Sequence, residues 1–145
     1  MYRVLLVEDE PLILEGLCMA TPWARYGCTV AGKAYNAEEA ERLIVELRPD
    51  IVITDINMPG GSGLELIERM KGRCGCEFII LSGYDQFEYA KKAVFLGVKG
   101  YILKPLDEEE LRTVLESAIR SLEQKRAGAQ PALVYNEGNT TAERY

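Results

Sequence analysis

Five short apolar runs constrain this chain of 145 residues more than any other feature. They fall at residues 4–7, 29–34, 51–54, 78–81 and 101–103. Each is too short for a buried helix and stops at a turn signal or a polar residue. That is the pattern of strands covered on both faces. The central run, Ile51-Val52-Ile53-Thr54, ends at Asp55 and then meets Asn57, Met58-Pro59 and a glycine-rich stretch to Gly63, which neither strand nor helix tolerates.

The segments between the runs read as helices. From Pro11, Ile13, Leu14, Leu17 and Cys18 mark one face, and Thr21-Pro22 stops it. Asn36 with Glu39 opens a helix whose face is Ala40, Leu43, Ile44 and Leu47. Ser62 with Glu65 forms a capping box before Leu64, Ile67 and Met70. Asp85 with Glu88 is expected to cap the next helix, with Phe87, Ala90, Ala93 and Val94 on its face, and Gly97 to end it. Asp107 with Glu110 opens the last, whose stripe is Leu111, Val114, Leu115, Ala118, Ile119 and Leu122. Alternating strands and helices predict a doubly wound α/β domain, a parallel sheet with right-handed crossovers. The domain is expected to span residues 1–126, with 127–145 a linker or disordered tail.

The charge balance bounds the partners. With 23 acidic against 17 basic residues and no histidine, the net charge is −6. Such a domain is repelled by phosphate backbones and anionic lipid, so it is not expected to bind DNA or a membrane by itself. The apolar start runs into Glu8-Asp9-Glu10 too soon for a signal peptide, and the expectation is a soluble cytoplasmic protein. Cys18, Cys28, Cys74 and Cys76 are expected to be reduced structural thiols, with the last two in a loop. A lone C-x-C without histidine makes a poor zinc site.

Parallel strands point their carboxyl ends to one edge, where open sheets bind ligands. At those ends stand Glu8 and Asp9, Asp55, Ser82 and Lys104. Taken singly, each is an ordinary strand end. Together, three carboxylates in one crevice repel by about 4 kcal/mol per pair at ~4 Å and an effective dielectric near ~20. They must take up protons, bind a cation or stay apart. Oxygen donors without histidine or thiolate suit Mg²⁺ or Mn²⁺. Ser82, Gly83 and Lys104 make a cradle for an anion. These are the parts for moving a phosphoryl group onto Asp55.

The pieces LLVEDE, DINMPGGSG, ILSGYD and GYILKP, in this order, resemble the receiver domains of bacterial two-component response regulators. The resemblance covers Tyr2 to about Lys125. The stretch from Leu81 to Leu111 is most similar to receivers that precede AraC-type DNA-binding domains. The resemblance implies a flavodoxin-like (βα)5 fold, a five-stranded parallel sheet of order 2-1-3-4-5. It implies Asp55 as phosphoryl acceptor from a sensor histidine kinase, with Mg²⁺ held by Asp9, Asp55, the Asn57 backbone carbonyl and, through water, Glu8. It implies Ser82 and Lys104 on the phosphoryl oxygens, Ser82 and Tyr101 as the switch pair, and a cis peptide before Pro105. Asn57 and Tyr84 fall where the family tunes dephosphorylation. The face made by the fourth helix, fifth strand and fifth helix is where receivers dimerise or meet partners. DNA would be reached only through an output domain outside this chain. Such a domain is a phosphoacceptor that assists its own phosphorylation, not an enzyme in the ordinary sense. Two rivals are a stand-alone phosphorelay receiver and a phosphatase of the haloacid-dehalogenase class. The latter wants an aspartate where this chain has Asn57, which cannot transfer protons.

Overall fold

A computed structural model of the chain describes residues 1–83 and 85–128. Strands and helices alternate as expected: β1 (Tyr2–Val7), α1 (Pro11–Ala20), β2 (Cys28–Ala34), α2 (Ala37–Leu47), β3 (Ile51–Thr54), α3 (Gly63–Met70), β4 (Glu77–Ser82), α4 (Phe87–Leu96), β5 (Gly100–Leu103) and α5 (Glu108–Gly128). A 3-10 turn, Trp23–Tyr26, joins α1 to β2. The strands form one parallel sheet in the order β2-β1-β3-β4-β5, the flavodoxin-like order. The chain reverses its direction of travel across the sheet between β1 and β3, and this opens a crevice at their carboxyl ends.

The alternation of side chains along each strand builds two cores. Leu5, Val7, Val52, Phe78 and Ile80 pack under α2, α3 and α4. Val4, Leu6, Ile51, Ile53, Ile79 and Ile102 pack under α1 and α5, with Leu14, Leu111, Leu115, Ala118 and Leu122 as the facing knobs. Because both faces are covered, the three inner strands carry unbroken apolar runs, Val4–Val7, Ile51–Ile53 and Phe78–Leu81.

Caps fix where the helices start. The Asn36 side chain accepts from the Glu39 N–H at 2.7 Å, and the Glu39 carboxylate accepts from the Tyr35 N–H. Ser62 and Glu65 form the reciprocal capping box of α3. Asp107 accepts from the Glu109 N–H at the start of α5. Such a cap contributes about 1 kcal/mol.

Three expectations need correction. The helix α4 begins one residue later than the Asp85 cap implies, with the extended Gln86 as its N-cap and no side-chain cap bond. Phe87 and Val94 do not face the core: they are 75 % and 79 % exposed, while Ala93 and Leu96 are buried. The helix touches the sheet along one narrow arc, and it carries more apolar residues than that arc covers. Lastly, Cys74 and Cys76 are not free thiols but are joined in a disulfide, with Cα atoms 5.5 Å apart. Cys18 and Cys28 are free. α5 continues to Gly128, and the rest of the expected tail, like Tyr84, lies outside the described residues. Among the described residues no helix is long and apolar enough to cross a membrane.

Candidate functional site

Strand register sets the site. Val7 pairs with Thr54, and the next residue on each strand is Glu8 and Asp55. The Asp55 N–H donates to the Val7 carbonyl at 3.1 Å, and the Glu8 N–H donates to the Ala34 carbonyl at 3.0 Å. The two acids therefore leave neighbouring strands side by side. On the other flank Ser82 pairs with Leu103, and the Lys104 N–H donates to the Ser82 carbonyl at 2.8 Å. That places Lys104 at the same rim. The Lys104–Pro105 peptide bond is cis.

The side chains converge. Lys104 Nζ donates to Glu8 Oε1 at 2.7 Å and to Asp55 Oδ2 at 3.2 Å. The Ile56 N–H donates to Asp55 Oδ1 at 2.6 Å, and the Glu10 N–H to Glu8 Oε2 at 3.2 Å. Carboxylate oxygens of Glu8, Asp9 and Asp55 lie within 4.8 Å of one another. Glu8 is 4 % exposed and Asp55 8 %, whereas Asp9 is half-buried. Ser82 is fully buried at the end of β4, and Asn57 is exposed on the loop after β3.

Burial and charge pull against each other here. Burial pushes the Glu8 carboxyl above its ordinary range, further than the bonds from Lys104 and the Glu10 N–H pull it down, and the Asp55 charge adds to the rise. Burial pulls the Lys104 ammonium down, but its bond to Glu8 and the charges of Asp55 and Glu8 together outweigh that and leave it raised. Three carboxylates against one lysine leave two negative charges uncompensated if all are ionised. Burial raises the Tyr101 hydroxyl most, with the Asp85 charge, while its hydrogen bond with Ser82 acts the other way. Ser82 and Tyr101 are thus in contact, on adjacent strands.

Two residues that sequence reasoning passed over hold Asp55 in place. The Thr54 hydroxyl donates to the Asp55 carbonyl at 2.9 Å. Gly63, the first residue of α3, lies against that same carbonyl: a Cβ there would stand 1.9 Å from the oxygen. Its N–H donates to the Ile56 carbonyl at 2.7 Å. Glycine lets the α3 backbone approach this closely. The only sequence signal was the run Gly60-Gly61-Ser62-Gly63, in which turn and close approach look alike. Gly60, at φ 82°, fills the turn role.

The model of the response regulator receiver domain matches residues 4–116. The chain belongs to the response regulator receiver family. This receiver is 44 % identical over 126 residues to the transcriptional regulatory protein YesN of Bacillus subtilis, covering 86 % of this chain and 34 % of that protein. It is 38 % identical over 122 residues to the transcriptional regulatory protein HptR of Staphylococcus aureus, covering 84 % of this chain and 48 % of that protein. The chain thus spans between a third and a half of the length of these curated relatives. Among solved structures, the receiver domain of AraT, a response regulator from Geobacillus stearothermophilus, matches with a TM-score of 0.77 at 35 % identity, over 86 % of this chain and 98 % of that one.

Proposed function

We propose that this receiver accepts a phosphoryl group on Asp55 from a sensor histidine kinase, in a Mg²⁺-dependent step, and so controls an output domain outside this chain. The observation that carries the reading is the Asp55 carboxylate held beside Lys104 Nζ within a cluster that includes Glu8 and Asp9. The donor set fits a hard divalent cation: it is all oxygen, without histidine or thiolate, and Lys104 leaves two of its three charges uncompensated. Asp9, Asp55 and the Asn57 carbonyl would hold the ion, with Glu8 reaching it through water. An ion held there would supply positive charge to offset that of the phosphoryl oxygens.

The chain's own residues do the rest. Asp55 is aimed by the Ile56 N–H on one oxygen, which leaves Oδ2, the oxygen facing Lys104, to attack phosphorus. The phosphorus–oxygen or phosphorus–nitrogen bond of the donor breaks, and its electrons leave with the donor. Lys104 can release one carboxylate and follow the new charge of about −1.5 to −2. Ser82 and Tyr101, in contact, would relay that shift to β5 and α4. There the exposed Phe87, Val94 and Leu103 offer an apolar surface for a phosphorylation-dependent homodimer. A DNA-binding output fits the transcriptional regulators among the relatives.

Acetyl phosphate or beryllofluoride with Mg²⁺ tests the reading. The expected result is a phosphorylated wild-type chain, no label on Asp55→Asn, and labelling lost on chelation. Equal labelling of Asp55→Asn refutes it.

A further inference from the structure

The disulfide between Cys74 and Cys76 plays no part in the site above, since it lies at the opposite edge of the sheet. It occupies the turn from α3 to β4, whose first residue Glu77 pairs with Ile51 at the start of β3. Asp55 stands beyond the other end of that strand. A ring closed across one intervening residue removes little chain entropy, and a domain with two full cores does not need such a staple. Its stability contribution does not account for the bond.

The surroundings suit exchange. Cys74 is half-buried and Cys76 is buried, so one sulfur is presented and the other is held behind it. Cys74 and Gly75 form part of the wall of a cleft of about 490 Å³, along with Arg48, Arg73, Arg126 and Asp50. Asp50 is taken up by Arg126 and by the Arg3 N–H. Among the described residues Arg48 and Arg73 have no ion-pair partner, so the cleft keeps a positive surplus beside the half-buried Cys74. Cationic surroundings favour a thiolate and draw in anions. The free Cys28 is the contrast: buried, its thiol is pushed up to about 11 by desolvation first and then by the Asp50 charge.

We propose that Cys74 and Cys76 form a reversible dithiol–disulfide centre that exchanges with small anionic disulfides entering the arginine-lined cleft. In the oxidising direction the Cys74 thiolate attacks one sulfur of the small disulfide and expels one thiolate. The Cys76 thiolate then attacks Cys74 in the mixed disulfide and expels the second. The two protons given up by the cysteines go to the two departing thiolates. The protein pair loses two electrons, and the small disulfide gains them. Oxidised, the pair pins the turn that leads into β4; reduced, it frees it.

Oxidised glutathione is the anionic probe and cystamine the cationic one. The full chain is reduced, equilibrated at graded ratios of oxidised to reduced glutathione, alkylated and digested with trypsin. Cys74 and Cys76 then share one peptide, free of Cys18 and Cys28. Its two alkyl groups should vanish together over one two-electron transition. Cys76→Ser should trap a glutathione adduct on Cys74, and Cys74→Ser should be at least 10-fold slower to form one on Cys76. Arg48→Glu with Arg73→Glu should slow the reaction with oxidised glutathione about 10-fold and speed that with cystamine. A peptide that stays doubly alkylated at every ratio overturns the centre. Adducts forming equally fast on either single cysteine overturn the assignment of Cys74 as entry sulfur. Unchanged rates with both probes overturn the role of the cleft.

Discussion

Replacing Gly63 by alanine should damage the phosphoacceptor loop out of proportion to one methyl group. The new Cβ would stand 1.9 Å from the Asp55 carbonyl oxygen, 3.0 Å from its carbon and 3.1 Å from Thr54 Oγ1. A tolerable carbon–oxygen contact is about 3.3 Å, so the start of α3 and the end of β3 must part by roughly 1.4 Å. Of these three neighbours all but the hydroxyl are backbone, which cannot swing aside. Overpacking of this kind costs about 1–3 kcal/mol. The Gly63 N–H bond to the Ile56 carbonyl, at 2.7 Å, would also be stretched, for about 1 kcal/mol more. The expected loss is about 3 kcal/mol, read as a lower urea midpoint at unchanged slope. Gly16→Ala is the control. That glycine lies exposed in α1 with nothing within 4 Å of a Cβ, so alanine there should stabilise by roughly 0.5–1 kcal/mol. Because the displaced carbonyl belongs to Asp55, Gly63→Ala should also lower labelling by acetyl phosphate at temperatures where it is still folded. A Gly63→Ala chain as stable as wild type, beside a stabilised Gly16→Ala, would refute the close-approach argument.

Other outcomes follow from the same geometry. Lys104→Met should cost about 2–3 kcal/mol at neutral pH, less than the ~3–5 of a fully buried broken pair because the lysine side chain is 23 % exposed. The deficit should shrink as pH falls and Glu8, already raised by burial, takes a proton; adding Mg²⁺ should also recover part of it, and a pH-independent deficit would contradict the account. In wild type the raised Lys104 contributes stability that is complete below its ordinary value and lost as pH rises through the higher folded one, which denaturation in alkaline buffer would check. Cys28 behaves likewise: its raised thiol favours the fold below the ordinary cysteine value and ceases to as pH climbs through about 11, so folded chain at pH 8 should be alkylated at Cys18 and not at Cys28. Asn36→Ala removes the cap bond to the Glu39 N–H and should cost about 1 kcal/mol by urea titration.

Much of the architecture could be read from residue order. Short runs such as Ile51-Val52-Ile53-Thr54 could only be strands covered twice, and the Asn36 and Ser62 caps marked helix starts to the residue. Because parallel strands end at one edge, the sequence alone brings the candidate acids and lysine together. What failed was α4, where Phe87 and Val94 fit a helical period yet point to solvent. A period reports which residues are apolar, not how wide an arc the sheet covers.

Local pattern and covalent connectivity thus determined the strands, most caps and the rim on which Glu8, Asp9, Asp55 and Lys104 sit, because these depend on spacings of a few residues. Only the tertiary structure decided that Lys104 clamps Glu8 and Asp55 together, that Gly63 presses on the Asp55 carbonyl, and that Cys74 and Cys76 are bonded beside an arginine-lined cleft. Those are distances between side chains and backbones brought together by packing, and hydrophobic periodicity carries no information about them.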